Sequence, residues 1–532
     1  MHNVVTQSPN EGTILCLATE LIHVVAGYLS KWEIKQLRLA CKRFADCVEL
    51  RLSRIYLSPN KHNLNCFRAV VNHPVYRHRV QEIVWDDDLL EQKPMTINLQ
   101  KENNILTDHL IDILGWADED NCTSTYSWDQ LFKAGEPTDL ARKILRTQST
   151  DPAIHEVLCR TEAAIMEFRV NSLIYKRLHS KETKIMARGE DVLALIEALA
   201  SFPRLRRITL TTEAWRPWYD PPIYDTPFHR SLPKDFQMPF AWPWPGVPPT
   251  DLSSEPVVVS RGVSPAQRKR EMTISRGWKI IANALTIFPN HQVTELIVDS
   301  QDELSGISQQ LFQINGHSRS SVELFHRVPL RRLEISLIGG VRGGSSFLHN
   351  GVLKQALQGL TAIEHFEFKA GLHPPYRYRD RVPLEMFLPT SQCAFRKLRH
   401  LGLWELGTLT SSLVSYLSSL PHLESLFLSD VDLFEDTPLH LLAELRRTFV
   451  EASRGLWRES KPRIMVRERI AHHQDLLLFM HHIIYSEIND FLYRNGKSPV
   501  DQRGRWLSPV HGVGWIADAR NEMDRDWRRM LE

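Results

Sequence analysis

The chain has 532 residues, room for about three or four domains or one elongated array. With 42% hydrophobic and 24% charged residues it is globular, and a net charge of +2 excludes nucleic-acid or membrane-surface binding by bulk charge. The seven cysteines form no CxxC pair, which excludes a zinc knuckle, a redox motif and a disulfide-rich scaffold.

From the N-terminus, Leu21, Val24, Val25, Tyr28 and Leu29 follow helical spacing. Thr19 is the expected N-cap, with Glu20 in the first turn, where the helix dipole favours a carboxylate. Ser30 is the expected cap of a second short helix carrying Ile34, Leu37, Leu39 and Ala40, and a third holds Phe44, Val48 and Leu52. Three helices of this size bury little core, so such a unit needs a partner surface or a larger neighbouring domain.

The ordered run Leu17-Ala18-x-Glu20-Leu21, Val25, Tyr28-Leu29, Ile34, Leu37-Arg38-Leu39 and Cys41-Lys42-Arg43-Phe44 resembles an F-box over about forty residues. Leu17-Ala18 stands where that family usually has Leu-Pro, a residue that pre-sets the helix start. The resemblance implies a three-helix F-box at 13–57. It would bind the Skp-type adaptor, and through it a cullin, by Leu17, Glu20, Leu21, Val25, Tyr28, Leu29, Ile34, Leu37, Leu39 and Phe44. It also implies that the remainder captures a protein target and that the chain itself performs no chemistry.

Downstream, a pattern of apolar, two others, apolar, one other, apolar recurs. Its copies are Leu205-x-x-Ile208-x-Leu210, Val293-x-x-Leu296-x-Val298, Leu330-x-x-Leu333-x-Ile335, Ile363-x-x-Phe366-x-Phe368, Leu398-x-x-Leu401-x-Leu403 and Leu423-x-x-Leu426-x-Leu428. Val80-x-x-Ile83-x-Trp85 is an earlier candidate. The period-2 ending predicts a short strand, and helical runs precede several copies. The array resembles degenerate leucine-rich repeats, although the last five copies start 37, 33, 35 and 25 residues apart, mostly longer than that family's usual period. An F-box followed by irregular repeats is similar to a large F-box family of filamentous fungi. The expected fold is therefore α/β, a three-helix F-box followed by an irregular leucine-rich-repeat-like solenoid with large insertions.

The repeats divide into a first region at 75–212, with a polar helical insertion that includes Ile154 to Leu178, and a second at 263–470. Between them, 213–262 is a proline-rich segment holding Trp215, Trp218, Trp242 and Trp244, expected as a long surface loop. Thr437-Pro438 signals a helix start, and Ile464 and Val466 a final strand. Residues 471–494 are expected as a helix ending at Asn495-Gly496, and 471–532 as a cap over the open end of the array.

Chemistry-bearing groupings are weak. His472-His473 and His481-His482 fall on that last predicted helix, His473 and His481 about two turns apart, too far for one ion. There is no HExxH, P-loop, GxSxG or local Cys–His dyad. Asp86-Asp87-Asp88 reads as a solvated turn. We therefore expect no catalytic residue, no cofactor and no metal. The expected function is the substrate-recognition subunit of an SCF-type ubiquitin ligase, in the cytoplasm or nucleus, without nucleic-acid or membrane partners. The alternative is a leucine-rich-repeat scaffold outside any ligase. If the copies pair in register, Lys369, Trp404 and Phe427 meet on the outer, concave side of the strands as an exposed substrate anchor.

Overall fold

The computed structural model describes residues 17–29, 31–50, 52–90, 152–211, 214, 224, 226–233, 236, 275–300, 306–312, 318–338, 348, 350–370, 382–389, 394–434, 436–452, 455–470, 480–501 and 506. Among them no helix is long and apolar enough to cross a membrane. Ser30, the pair His472-His473 and the tryptophans of 213–262 lie outside the described residues.

The N-terminal unit has three helices, α1 (Thr19–Tyr28), α2 (Lys31–Ala40) and α3 (Lys42–Cys47). Its own small core is Ile22, Ala26, Ile34, Phe44 and Val48, with Leu17, Leu29 and Leu37 packed at its margin. Ile22 and Ala26 are four apart, one turn, and so share the inward face of α1. Arg43 Nη2 donates to the Leu17 carbonyl at 2.6 Å and ties α3 back to the start of α1. Two expectations change here. Ala18, not Thr19, occupies the N-cap, and no side chain caps the helix. The apolar stripe predicted from Leu21, Val24, Val25 and Tyr28 faces solvent, because Ile22 and Ala26 take the core positions.

Beyond residue 52 the chain builds an eleven-stranded, mostly parallel sheet. Its first strand, β1 (Arg54–Leu57), falls within the segment read as the end of the F-box; it pairs with β2 (Glu82–Asp86) and so belongs to the sheet. Then follow β3 (Arg207–Thr211), β4 (Glu295–Asp299), β5 (Ile307–Ser308), β6 (Arg332–Ile338) and β7 (His365–Lys369). After β8 (Val382–Pro383) come β9 (His400–Trp404), β10 (Leu406–Thr408), β11 (Ser425–Ser429), β12 (Asp432–Leu433), β13 (Arg463–Ile470) and β14 (Met480–Ile484). Every copy of the apolar motif ends in a strand, including the copy at Val80.

The order across the main sheet is β1-β2-β3-β4-β6-β7-β9-β11-β13-β14, with β5 beside β6. It never reverses. Crossovers between parallel strands are right-handed, so an order advancing in one direction sends every connecting helix to the same face. Those helices include Glu190–Ser201, Arg276–Ile287, Ser318–Arg327, Val352–Leu357 and Thr410–Leu417. One continuous core joins their inner faces to the motif residues, from Ile55 through Ile83, Ile208, Leu296, Leu333, Phe366, Leu401 and Leu426 to Ile464. A second, three-stranded parallel ladder, β12-β10-β8, follows the turns after the main strands. The left-handed residues Glu405 (φ 56°) and Asp430 (φ 50°) make equivalent corners between β9 and β10 and between β11 and β12.

The polar insertion is helical, as expected, over Pro152–Arg188. Tyr224 and Phe228, from the proline-rich segment, pack with Val84, Leu90, Tyr175 and Ala214 in a separate apolar cluster. Residues 471–479 of the predicted helix over 471–494 lie outside the described residues; from Met480 on the chain forms β14, antiparallel to β13, and a helix over Ser486–Tyr493. His481 and His482 thus lie on a strand. Asn495, at φ 57°, supplies the left-handed terminator that Asn-Gly signalled. Trp506 packs against the main core.

Candidate functional site

The motif residues of each strand point toward the helices, so their neighbours point to the other, outward face. In the register, Arg54, Glu82, Arg207, Glu295 and Arg332 lie side by side on five successive strands. Charge alternates along the row, and opposite charges placed directly across a ladder are favourable. Arg54 Nε donates to Glu82 Oε2 at 2.7 Å, and Arg207 Nε donates to Glu295 Oε2 at 2.6 Å. Burial alone would push the Glu82 carboxyl up, but Arg54 and Arg207 hold it below the usual carboxylate range.

The row continues with His365, His400 and Ser425. Two residues beyond His365 on the same face of β7 is Glu367, which lies between Glu334 on β6 and Gly402 on β9. His365 Nε2 is 3.2 Å and His400 Nε2 3.3 Å from Glu367 Oε1, and the two imidazoles stack with centroids 4.2 Å apart. Trp404 Nε1 donates to Glu367 Oε2 at 3.3 Å. Glu334 Oε1 accepts from Arg332 Nε at 2.7 Å and lies 3.4 Å from His365 Nε2. Gly402 makes the arrangement possible, since a Cβ there would stand 2.6 Å from Glu367 Cγ.

The electrostatics follow from the packing. Burial raises the Glu367 carboxyl, but hydrogen bonds from His365 and His400 more than offset it and leave it well below the ordinary range. Burial acts likewise on Glu334, yet Arg332 brings it down to about 2. Burial and the neighbouring His365 lower His400 to about 4, against the pull of Glu367. His400 is therefore a neutral imidazole at neutral pH. Its Nδ1 lies 2.9 Å from the Ser425 hydroxyl, accepting or donating according to the ring's tautomer.

The expected substrate anchor assembles in register but not in exposure. Lys369 pairs with Trp404, and Phe427 lies diagonally across with ring centroids 4.8 Å apart at 70°. Lys369 Nζ and Arg467 Cζ stand 5.9 and 5.1 Å from the Trp404 ring centre. However, Lys369 and Trp404 are each 7% exposed and Phe427 is 3% exposed. Both rings are enclosed by the chain's own residues, so they do not form a solvent-facing anchor. The expectation equated outward with solvated, whereas the outward side chains here bury one another.

Asp86, Asp87 and Asp88 are also buried rather than a solvated turn. Asp87 Oδ1 accepts from the Gly277 N–H at 2.8 Å and from Trp85 Nε1 at 3.3 Å. Beside it, Arg276 forks onto Asp191 at 2.5 and 3.0 Å. Desolvation pushes the Asp87 carboxyl up to about 7, in spite of the Gly277 bond and Arg276.

The adaptor residues named from sequence separate into two sets. Ile34 and Phe44 lie inside the three-helix core and are not available for contact, and Leu17, Leu29 and Leu37 border that core. Leu21 is 51%, Val25 38%, Tyr28 88% and Leu39 79% exposed, and Glu20 is exposed as well. Val24, at 56%, joins them. The His365–Glu367–His400 grouping was missed because its members come from two strands 35 residues apart and make no local spacing; register was the one available signal.

No family model matches the chain, and no curated protein matches it.

Proposed function

We propose that the chain is the substrate-recognition subunit of a cullin–RING ubiquitin ligase, binding a Skp-type adaptor through its N-terminal helices and a protein target through its repeat region. The observation that carries this reading is the outer face of α1. Leu21, Val24, Val25 and Tyr28 are exposed on a unit that already has a closed core of its own. An apolar face left over after a domain has completed its core marks a surface for a partner. The F-box-like order of residues supports a Skp-type adaptor as that partner. A sheet whose strands advance in one direction, with strand starts at Glu295, Arg332, His365, His400 and Ser425, supports reading the remainder as an irregular leucine-rich-repeat solenoid.

The test is co-purification of the full chain with a Skp-type adaptor. Each Leu-sized side chain buried at the contact contributes roughly 1.5–3 kcal/mol, so Leu21→Asp is expected to weaken capture by at least about tenfold to a hundredfold. Ala18 already has φ −60°, the value a proline ring imposes, so Ala18→Pro is expected to bind equally or more tightly. Undiminished capture by Leu21→Asp overturns the assignment. Failure of the unaltered chain to capture the adaptor favours the scaffold that works outside a ligase.

A further inference from the structure

We propose that His365, Glu367 and His400 form a binding site for one divalent transition-metal ion, zinc by ligand type, which ties β7 and β9 together across the outward face. Nothing in the adaptor reading requires this site, and the two stand or fall separately.

The donor set is two imidazoles with a carboxylate, a combination that suits zinc. Among the described residues this is the one group of three His, Cys, Asp or Glu ligands whose donor atoms all lie within 4.8 Å of one another. The spacing fits a tetrahedral ion. Bonds of about 2.0–2.1 Å place neighbouring donors about 3.3 Å apart. The two His Nε2 atoms stand 3.2 and 3.3 Å from Glu367 Oε1.

Three further features point the same way. Glu334 and Glu367 lie directly opposite one another on adjacent strands, and like charges so placed repel. A divalent cation held by Glu367 offsets that repulsion. Gly402 gives up a side chain at the one place where a Cβ would block Glu367 from leaning over β9. The outer support is present too, because His400 Nδ1 faces Ser425 Oγ at 2.9 Å. When Nε2 coordinates, the neutral ring carries its one proton on Nδ1, which donates to the Ser425 hydroxyl. A ligating histidine is usually oriented by such a partner on its other ring nitrogen. His365 and His400 are both buried, so the ion would be structural, with slow exchange.

The full-length chain is stripped with chelator, loaded with zinc chloride, dialysed, and analysed for metal per chain; thermal unfolding is recorded with and without zinc. One zinc per chain is expected, with a higher Tm than the stripped protein, since an ion bound by the folded state alone stabilises it. His365→Gln, His400→Gln and Glu367→Gln keep polar side chains in place and are each expected to weaken zinc binding at least about tenfold and to remove the Tm rise. A wild-type chain that retains less than about a tenth of an equivalent overturns the proposal whatever the variants do. So does a His365→Gln/His400→Gln double variant that is folded and holds zinc as the wild type does. Cobalt loading gives an independent readout, intense tetrahedral absorption supporting the site and weak octahedral absorption refuting it.

Discussion

The helical unit at 17–50 and the outward face of the sheet distribute polarity in opposite senses. The unit turns apolar side chains to solvent: Leu21, Val24, Val25, Tyr28 and Leu39 are exposed around a core of five buried residues. The sheet buries charge: Arg207, Glu295, Arg332, Glu334, His365, His400 and Arg467 are all less than a tenth exposed. Both departures from the ordinary rule of apolar inside and polar outside carry information. Exposed apolar surface on a completed domain is the kind of surface that partners cover. Buried charge persists where each group has an opposite charge or a hydrogen bond in fixed geometry, as along the Arg54–Glu82 and Arg207–Glu295 rungs. The two regions therefore respond differently to mutation, and that difference is measurable.

The largest contrast sets a motif residue against an α1 residue. Phe366 is fully buried and packs against Phe395 at 5.0 Å and Phe368 at 6.4 Å between centroids. Phe366→Ala removes most of a ring from the continuous core and leaves a cavity, an expected loss of about 3–5 kcal/mol. Urea unfolding followed by fluorescence checks it. A loss below about 1 kcal/mol would mean that the sheet core is loosely packed at its centre, contrary to the register described.

The strands were legible because their signal is local. Leu401-x-Leu403 and Leu426-x-Leu428 alternate over three residues, and alternation is all a half-buried strand needs. Register could then be inferred by aligning copies, and the pairs Leu401–Leu426, Phe368–Leu403 and Lys369–Trp404 occur as aligned. What could not be read was which outward residues remain in water. The burial of Trp404 depends on Glu367, Phe427 and Arg467, which come from three other strands. β1 was missed because Arg54–Leu57 follows a helical pattern without a break, and its two buried residues, Ile55 and Leu57, are too few to establish a period. Ile22 and Ala26 were passed over as the inward face of α1 because the larger apolar residues beside them dominate the pattern.

A second, somewhat smaller effect belongs to the acidic end of the sheet. The folded-state value of Asp87, about 7, lies above its ordinary value of 3.8. The folded state therefore holds this proton more tightly than the unfolded chain does. Its stabilising contribution is complete below about pH 4 and is lost as pH rises through about 7, amounting to at most about 4 kcal/mol. Asp87→Asn keeps an oxygen for the Gly277 N–H and for Trp85 Nε1 while removing the titration. The variant is expected to gain stability relative to wild type as pH rises from 4 to 8. Parallel stability–pH curves for the two proteins would show that Asp87 is not buried as described.

The smallest expected effect sharpens the comparison most, because it separates folding from binding within one unit. Tyr28 is 88% and Leu39 79% exposed, and neither belongs to the core of Ile22, Ala26, Ile34, Phe44 and Val48. Tyr28→Ser and Leu39→Ser are each expected to change stability by no more than about 0.5 kcal/mol, the range of surface sites that touch nothing. Ile34→Ser, in the same unit but inside its core, is expected to unfold the three helices by leaving a cavity and an unsatisfied hydroxyl. If α1 presents a docking face, Tyr28→Ser also lowers capture of the Skp-type adaptor while the circular dichroism and melting curve stay unchanged. A Tyr28→Ser chain that melts well below wild type would place this ring in a contact within the chain itself, and the exposed face of α1 would no longer argue for a partner.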